Sequence, residues 1–441
     1  MTPRILPADS TLTRRNFLRQ TATVATGAAV LGALPIERFA HAADGGNVLK
    51  LALVGCGGRG SGAANQALNT SPNVKLVAIA ELFPDKVEAA IKNLTAQHPQ
   101  QVDVPKDRQF LGFDAYKQAI AEADVVILAS PCIFRPQMFE EAVRQGKHVF
   151  MEKPVAVDAP GVRQVLAAAE EAKKKNLKVG VGLQRRHKPA YEDMVKRIQD
   201  GALGQLTYFR TYWNMGAATA IRPRADGMSE LEFQLRNQFH FAWQCGDIHV
   251  DQGLHNVDVI NWIQNAYPVA AQAIAGAEVR RGPGWGCLFD HFAVQYEYAD
   301  GTRLFAENRQ IPGTWSKVSE HAHGTLGEAE MSNAFFITGK NAIRLQEDKT
   351  IDPYQREHDN LFAAIVNNTP YNEAERGARS TMTTIMGRMA GYSGQRIEWD
   401  AALNSERRIA PVITSLQDPA PIQPGADGAY PLPVPGKSEP V

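Results

Sequence analysis

A short apolar strand that runs directly into a glycine-rich turn limits the fold of this chain more than any other stretch. Residues 48–62 read VLKLALVGCGGRGSG and contain three glycines spaced as G-x-G-x-x-G. In such turns the first glycine permits the bend, the second lets a pyrophosphate approach the backbone, and the third allows close packing of helix on strand. The stretch predicts a Rossmann domain whose dinucleotide contacts include Gly55, Gly57, Gly58, Arg59 and Gly60.

The next apolar run indicates which dinucleotide is bound. Residues 74–80 (VKLVAIA) predict a second strand, and Glu81 follows at the distance where an acid usually meets the ribose hydroxyls. A carboxylate at this place would repel a 2′-phosphate. NAD is therefore the expected cofactor, and NADP remains possible.

Apolar runs continue to alternate with helical patterns. Helices are predicted over 61–68, 86–96, 115–122 and 139–145, and buried strands over 124–129 and 148–151. This order predicts a doubly wound parallel sheet, which binds ligands beyond the carboxyl ends of its strands. Five further residues should therefore face the cofactor: Ser130, Pro131, Glu152, Lys153 and Pro154.

The second half has a different pattern. Residues 290–298 (DHFAVQYEY) alternate apolar and polar side chains, and 302–310 is a plausible hairpin partner. Two helices are expected over 353–367 and 373–392. The Pro-rich tail from about residue 418 should be irregular or should wrap over a neighbour.

Three motifs carry a resemblance to a known family: GCGGRG, MEKPVAVD and CGDIHVDQGLHNVDVINW. The chain resembles the Gfo/Idh/MocA oxidoreductases from about residue 48 to 399. The resemblance implies a Rossmann domain (48–170), then an α+β domain (171–400) with an open, mostly antiparallel sheet that often mediates oligomers, here a dimer or tetramer. Residues 401–441 would form the tail. It also implies an oxidoreductase that acts on a secondary hydroxyl of a sugar, glycoside or polyol.

Residues 245–262 most resemble a catalytic segment. Asp251 and His255 are four apart and share a face if the segment is helical. Alcohol oxidation needs a base for the hydroxyl proton, and an imidazole oriented by a carboxylate suits that task. The family pattern implies the same pair and places Lys153 near the nicotinamide and the substrate hydroxyl.

Other polar residues suggest a sugar pocket or a metal site. Arg185, His187 and Trp243 are the candidate substrate contacts, and the role of Arg135 is left open. The cluster of His240, Asp247, His249, Asp251 and His255 would permit a metal-dependent hydrolase, but it lacks a tight ligand motif, so no metal is expected. An exported sugar-binding protein with a dead site is disfavoured because Lys153, Asp251 and His255 are all present.

The N-terminus resembles an export address. Arg14 and Arg15 precede a weakly apolar run at 21–34 and a small-x-small pattern at 40–42, so residues 1–42 are predicted to be a twin-arginine signal peptide. The mature protein would be periplasmic or extracellular, with the export machinery as a partner and no stable membrane anchor. Lysine plus arginine equals aspartate plus glutamate at 47 each, so nothing indicates a nucleic-acid partner.

Export would have a consequence for the cofactor. No free NAD pool exists outside the cytoplasm, so NAD would have to be tightly bound and regenerated in place. Two cycles satisfy this: an oxidoreductase with two substrates, or an NAD-dependent glycosidase that oxidises its sugar ring transiently. The oxidoreductase is preferred because the glycine-histidine-glycine loop associated with those glycosidases is absent from the sequence.

Overall fold

The computed structural model describes residues 48–216, 219–332, 334–409 and 411–439. The predicted signal peptide 1–42, with Arg14 and Arg15, lies outside these described residues. Within them, no helix is both long enough and apolar enough to cross a bilayer.

The first part of the described chain forms the expected parallel sheet, with strand order β3-β2-β1-β4-β5-β6. Its strands are Leu49–Val54 (β1), Val74–Glu81 (β2), Gln109–Leu111 (β3), Val125–Leu128 (β4), His148–Met151 (β5) and Val179–Val181 (β6). Its helices are Gly58–Asn69 (α1), Pro84–Gln97 (α2), Ala115–Ala121 (α3), Arg135–Arg144 (α4) and Ala159–Lys174 (α5). Alternate β1 residues enter two separate cores, Leu51 and Leu53 in one and Ala52 and Val54 in the other. Both faces of the sheet are therefore covered.

Three helices begin earlier than the sequence pattern predicts, α2 by two residues and α1 and α4 by three and four. Helix α1 begins at Gly58 because the Gly57 backbone is extended and its carbonyl already accepts the Ser61 N–H at 2.9 Å. Helix α4 begins at Arg135, since Pro136 fits the first turn, where its missing N–H leaves no bond unmade. Strand β6 lies beyond the domain boundary placed at 170, because β5 and β6 pair in parallel and α5 must first bring the chain back to the amino end of the sheet.

The second sheet has nine strands in the order β14-β13-β12-β11-β7-β10-β9-β8-β15. Only the β7–β10 pair among these described strands is parallel. The strands are Leu206–Met215 (β7), Ala270–Gly276 (β8), His291–Glu297 (β9), Arg303–Gln310 (β10), Lys317–Gly324 (β11), Gly327–Met331 (β12), Phe335–Ile337 (β13), Ile343–Leu345 (β14) and Ile397–Glu398 (β15). The predicted hairpin is confirmed, with Tyr296 opposite Leu304 and both side chains fully buried.

Helices cover the inner face of this sheet and reach back to the first one. They are Pro189–Gln199 (α6), Glu230–Arg236 (α7), Ala242–Cys245 (α8), Ile248–Asp251 (α9), Leu254–Gln264 (α10), Pro353–Val366 (α11), Ala374–Ser393 (α12) and Trp399–Leu403 (α13). Leu361 of α11 packs over Gly180 in β6, and Asn372 bridges to Val179. The tail is irregular, as predicted, and packs on its own chain, burying Ile413 and Ala420.

Candidate active site

The glycine turn after β1 has the shape that a dinucleotide pyrophosphate requires. Gly55 has a φ of +92°, and a Cβ there would lie 2.5 Å from the Ser130 nitrogen. A Cβ on Gly60 would lie 2.0 Å from the Gly55 carbonyl oxygen. Nothing lies within 4 Å of a Cβ built on Gly57 or Gly58, so the space beside these two residues is open. The residues present therefore fit NAD, with the open glycines facing the phosphates.

Glu81 lies at the carboxyl end of β2, beside this turn. Its Oε2 accepts the Cys56 N–H at 2.8 Å, and its Oε1 accepts the Leu82 N–H at 2.8 Å. Glu81 lines a cavity, the dinucleotide cavity, together with residues that the sequence predicted as cofactor contacts and residues that it did not. Among them are Gly55, Gly57, Phe83, Ser130, Pro131, Leu235 and Gln238. This cavity suits the adenosine half of a dinucleotide.

Two of the predicted cofactor contacts instead bind each other. The Arg59 Nε lies 2.5 Å from Glu152 Oε1, and the Glu152 side chain is only 8% exposed. The Arg59 guanidinium also lies 4.9 Å from the centre of the Tyr354 ring. This pair joins the glycine turn to the end of β5, so both residues first serve to position these two loops.

Arg135 resolves a question that the sequence leaves open. Its side chain is 2% exposed, and it donates to the carbonyl oxygens of Ser130 and Pro154. The Lys153–Pro154 peptide bond is cis. Arg135 therefore braces the loops after β4 and β5 against each other.

Lys153 and Asp251 come together although 98 positions separate them in the chain. The Lys153 Nζ donates to the Asp251 carbonyl oxygen at 2.7 Å and lies 3.5 Å from Oδ1 of the same residue. Their side chains are 14% and 8% exposed. The ammonium group is thus held at the carboxyl edge of the first sheet, beside the dinucleotide turn.

The predicted orientation of His255 by Asp251 is wrong. The Asp251 carboxylate meets Lys153 and accepts the Gln252 Nε2–H at 2.8 Å, and no hydrogen bond joins it to His255 among the described residues. One continuous helix would have put them on one face, but α9 ends at Asp251 and α10 begins at Leu254. The break falls at Gly253, where a Cβ would lie 2.6 Å from the His249 carbonyl oxygen.

His255 lies in the same cleft and is held by stacking. Its ring is 5.7 Å from the Trp213 ring, with an angle of 18° between the planes. Its Nδ1 is buried and has no hydrogen-bond partner among the described residues. Burial, together with the positive charges of Lys153 and Arg185, holds the pKa of His255 well below its usual value. The imidazole is therefore neutral at pH 7 and free to accept a proton.

Arg185 also lies against Trp213 and belongs to a buried network. Its guanidinium lies 5.6 Å from the Trp213 ring and pairs with Glu320, whose side chain is fully buried. Glu320 also accepts bonds from Tyr191 at 2.8 Å and Asn256 at 2.7 Å. The sequence motifs singled out neither Trp213 nor Glu320; only their places on β7 and β11 bring them here.

The other two predicted substrate contacts lie elsewhere. Nδ1 of His187 is 3.0 Å from Asn360, and its Nε2 is 3.3 Å from Glu373. The Trp243 Nε1 donates to Gln234 at 2.8 Å, and its ring lines a cavity beneath the tail. Both side chains are at least 96% buried with protein partners, which corrects their assignment to a sugar pocket.

The histidines of the metal hypothesis have other partners too. His249 meets Asn308 at 2.5 Å and Tyr296 at 2.6 Å, and His240 meets Arg280 at 3.1 Å. Across the part of the chain that the structure describes, no three His, Cys, Asp or Glu side chains are grouped so that they could hold a metal ion.

Comparisons with known proteins agree with this geometry. Residues 49–182 match the family described as "Oxidoreductase family, NAD-binding Rossmann fold" (Gfo/Idh/MocA). The chain is 24% identical over 285 residues to the inositol 2-dehydrogenase of Rhizobium meliloti (strain 1021), covering 65% of this chain and 76% of that protein. It is also 24% identical to the scyllo-inositol 2-dehydrogenase (NAD(+)) of Bacillus subtilis (strain 168), covering 59% and 64% of the two chains.

Two solved structures share the fold. The aldose-aldose oxidoreductase of Caulobacter crescentus, complexed with glycerol, has a TM-score of 0.62 at 17% identity, covering 80% of this chain and 100% of that one. The scyllo-inositol dehydrogenase of Lactobacillus casei, with bound NAD(H) and scyllo-inositol, has a TM-score of 0.61 at 22% identity with the same coverage. The glycine turn, the six-stranded parallel sheet and the match of residues 49–182 show an NAD-dependent oxidoreductase whose Rossmann domain is similar to that of the Gfo/Idh/MocA family.

Proposed function

We propose that this oxidoreductase acts on a secondary hydroxyl of a sugar, glycoside or polyol. The proposal rests on two side chains at the edge of the sheet that holds the glycine turn. One is Lys153, which is paired with Asp251, and the other is His255, which is neutral and stacks on Trp213. An ammonium and a neutral imidazole beside a dinucleotide site are the groups that alcohol oxidation needs.

The residues divide the chemistry between them. Lys153 donates a hydrogen bond to the substrate hydroxyl oxygen, and His255 takes the hydroxyl proton as the C–O bond becomes a carbonyl. The glycine turn and Glu81 would hold NAD, which when bound would accept the hydride from the same carbon. Because the pKa of His255 lies well below its usual value, the acid limb of kcat/KM for oxidation is expected below pH 6.5.

The charges around the cleft favour a neutral substrate. Lys153 faces Asp251, Arg185 faces Glu320, and Arg59 faces Glu152. With each of these cations paired, no unpaired positive charge remains among them for a carboxylate or phosphate on the substrate. Inositol, which the named relatives oxidise, is a neutral cyclic polyol of this kind.

We also propose that the protein is exported and keeps its NAD bound. The support for export is the twin-arginine pattern at Arg14 and Arg15. The support for retention is the extra cover of the dinucleotide cavity by Leu235 and Gln238, which come from outside the Rossmann sheet. NAD would then be regenerated by a second, carbonyl-bearing substrate that visits the same site in turn.

The outer face of the nine-stranded sheet supports a homo-oligomer, either a dimer or a tetramer. It exposes Ile274 (78%) on β8 and Phe305 (41%) on β10, and Trp315 (58%) is exposed in the loop before β11; exposed apolar side chains of this kind mark association surfaces. Light scattering after gel filtration tests this, and Ile274→Glu should shift the protein toward the monomer.

One purification tests the central proposals. The exported protein is heat-denatured and the supernatant assayed for NAD, while separate samples receive inositols, aldoses and glycosides and are followed at 340 nm. Near-stoichiometric NAD and a change in absorbance with a neutral polyol or sugar are expected, and a chelator should have no effect. Turnover that requires added NAD would contradict retention, and export of an Arg14→Lys/Arg15→Lys variant at the normal rate would contradict the export route.

A further inference from the structure

The tail, residues 404–439, has no helix or strand in its described part, yet it packs against two segments that line the dinucleotide cavity. One segment is the turn Cys132–Phe134 after β4, and the other is helix α7 with the residues that follow it. We propose that the tail is a strap that holds these two segments over the bound dinucleotide and slows its release. This inference rests on the proposed retention of NAD.

The first point of attachment is at the turn after β4. Ile413 is 6% exposed and lies in a small cavity beside Ile133 and Phe134. Phe134 separates this small cavity from the dinucleotide cavity, because it lines both. The Ile409 N–H donates to Asp158, which also caps helix α5. The tail therefore supports the wall of the dinucleotide site from outside.

The second point of attachment is helix α7. The Tyr430 hydroxyl donates to Glu230 at 2.5 Å, and its ring meets Phe241 edge to face at 5.1 Å. Gln234, which is fully buried, donates to the Ile422 carbonyl oxygen at 2.6 Å. Both of these bonds reach the side of the helix that faces the tail.

The opposite side of α7, together with Gln238 just after the helix, faces the dinucleotide cavity. Leu235 and Gln238 line the dinucleotide cavity, and Arg236 lies 3.9 Å from the Phe83 ring centre and 3.2 Å from Asp85. A dinucleotide that leaves through this cover must displace α7 or the turn at Phe134. Either movement breaks buried contacts with the tail, and buried polar groups left without partners are unfavourable. The strap thus adds to the barrier for release without touching the cofactor.

The test compares release rates. Protein loaded with NADH is mixed with excess NAD, and the loss of NADH fluorescence is followed in the wild type and in an Ile413→Ala/Tyr430→Ala variant. Release is expected to be about tenfold faster in the variant, which corresponds to about 1.4 kcal/mol. Val434→Ala is the control and should leave the rate unchanged, because its side chain is 48% exposed in the tail and lines neither the cavity at Ile413 nor the dinucleotide cavity.

A conservative variant covers the case in which the double variant does not fold. Tyr430→Phe loses only the hydroxyl bond to Glu230 and should release NADH about threefold faster, with an unchanged KM for the polyol or sugar. Equal rates in the wild type and in every folded tail variant would overturn the strap. Rapid release from the wild type would contradict retention instead, because the strap is judged only by the ratio of the rates.

Discussion

The two walls of the cleft are built by different means. The cofactor wall consists mostly of backbone: Gly55 and Gly60 fill places where a Cβ would meet backbone atoms, and Glu81 accepts three backbone N–H groups. The substrate wall consists of side chains that meet across long stretches of sequence, such as Lys153 with Asp251 and Arg185 with Glu320. Substitutions that add atoms should therefore impair the cofactor wall, and substitutions that remove atoms or charges should impair the substrate wall.

Removing the imidazole should give the largest effect. We expect His255→Ala to lower kcat/KM about 10³-fold, because general acid–base groups contribute roughly 10² to 10⁴. NADH affinity should stay within about twofold, since the ring belongs to the substrate wall. His291→Ala, at a ring that is 41% exposed beside Asp290, is the control. A variant with near-normal turnover would leave His255 with a packing role alone.

Adding one methyl group to the cofactor wall should give the next largest effect. In Gly60→Ala the new Cβ would lie 2.0 Å from the Gly55 carbonyl oxygen, whereas in Gly62→Ala, two residues on in the same helix, its nearest neighbour would be Arg59 Nη1 at 3.5 Å, an ordinary contact. We expect NADH affinity to fall about 10²-fold in the first variant and to change little in the second, since forced backbone shifts usually cost a few kcal/mol. Fluorescence titration measures affinity, and thermal unfolding checks that each variant is folded. Equal affinities would show that the turn tolerates a side chain.

Acid should lower the stability of the protein through the buried side chain of His249. Burial lowers the pKa of His249 to about 4, only partly offset by its bond to Asn308. Below pH 6.5 this histidine binds a proton in the unfolded chain but stays neutral in the native protein. Its contribution to the free energy of unfolding is therefore fully present above pH 6.5 and is lost as the pH falls toward 4. From pH 7 to pH 5 the free energy of unfolding should fall by about 2 kcal/mol through this residue. Denaturant titrations of wild type and His249→Gln check it, and the same slope in both would contradict the assignment.

The smallest expected effect concerns the choice of dinucleotide. Glu81→Gln removes the charge that repels a 2′-phosphate, so the preference for NADH over NADPH should fall about tenfold, or 1.4 kcal/mol. Glu88→Gln, an exposed carboxylate on the helix that follows Glu81, is the matched control. An unchanged preference in the Glu81 variant would place the discrimination elsewhere in the adenosine cavity.

Sequence alone determined the cofactor wall, the parallel sheet and the hairpin of the second sheet. Strand period and turn chemistry act within about 30 residues, so GCGGRG, Glu81 and the strand before Lys153 could be interpreted without knowing what lies opposite them. The same local evidence also brought His255 and Asp251 into one segment.

Tertiary structure decided the partners. Whether Asp251 meets His255 or Lys153 depends on a helix break at Gly253 that no local pattern showed, because the tight space there is created by Asn308 and by the backbone of His249. Trp213 and Glu320 join the site because β7 pairs with β11 in one particular register, with Trp213 opposite Val318. His187 and Trp243 do not belong to the site, because their ring nitrogens bind other buried side chains. A contact between residues far apart in the chain depends on packing that no short stretch of sequence encodes.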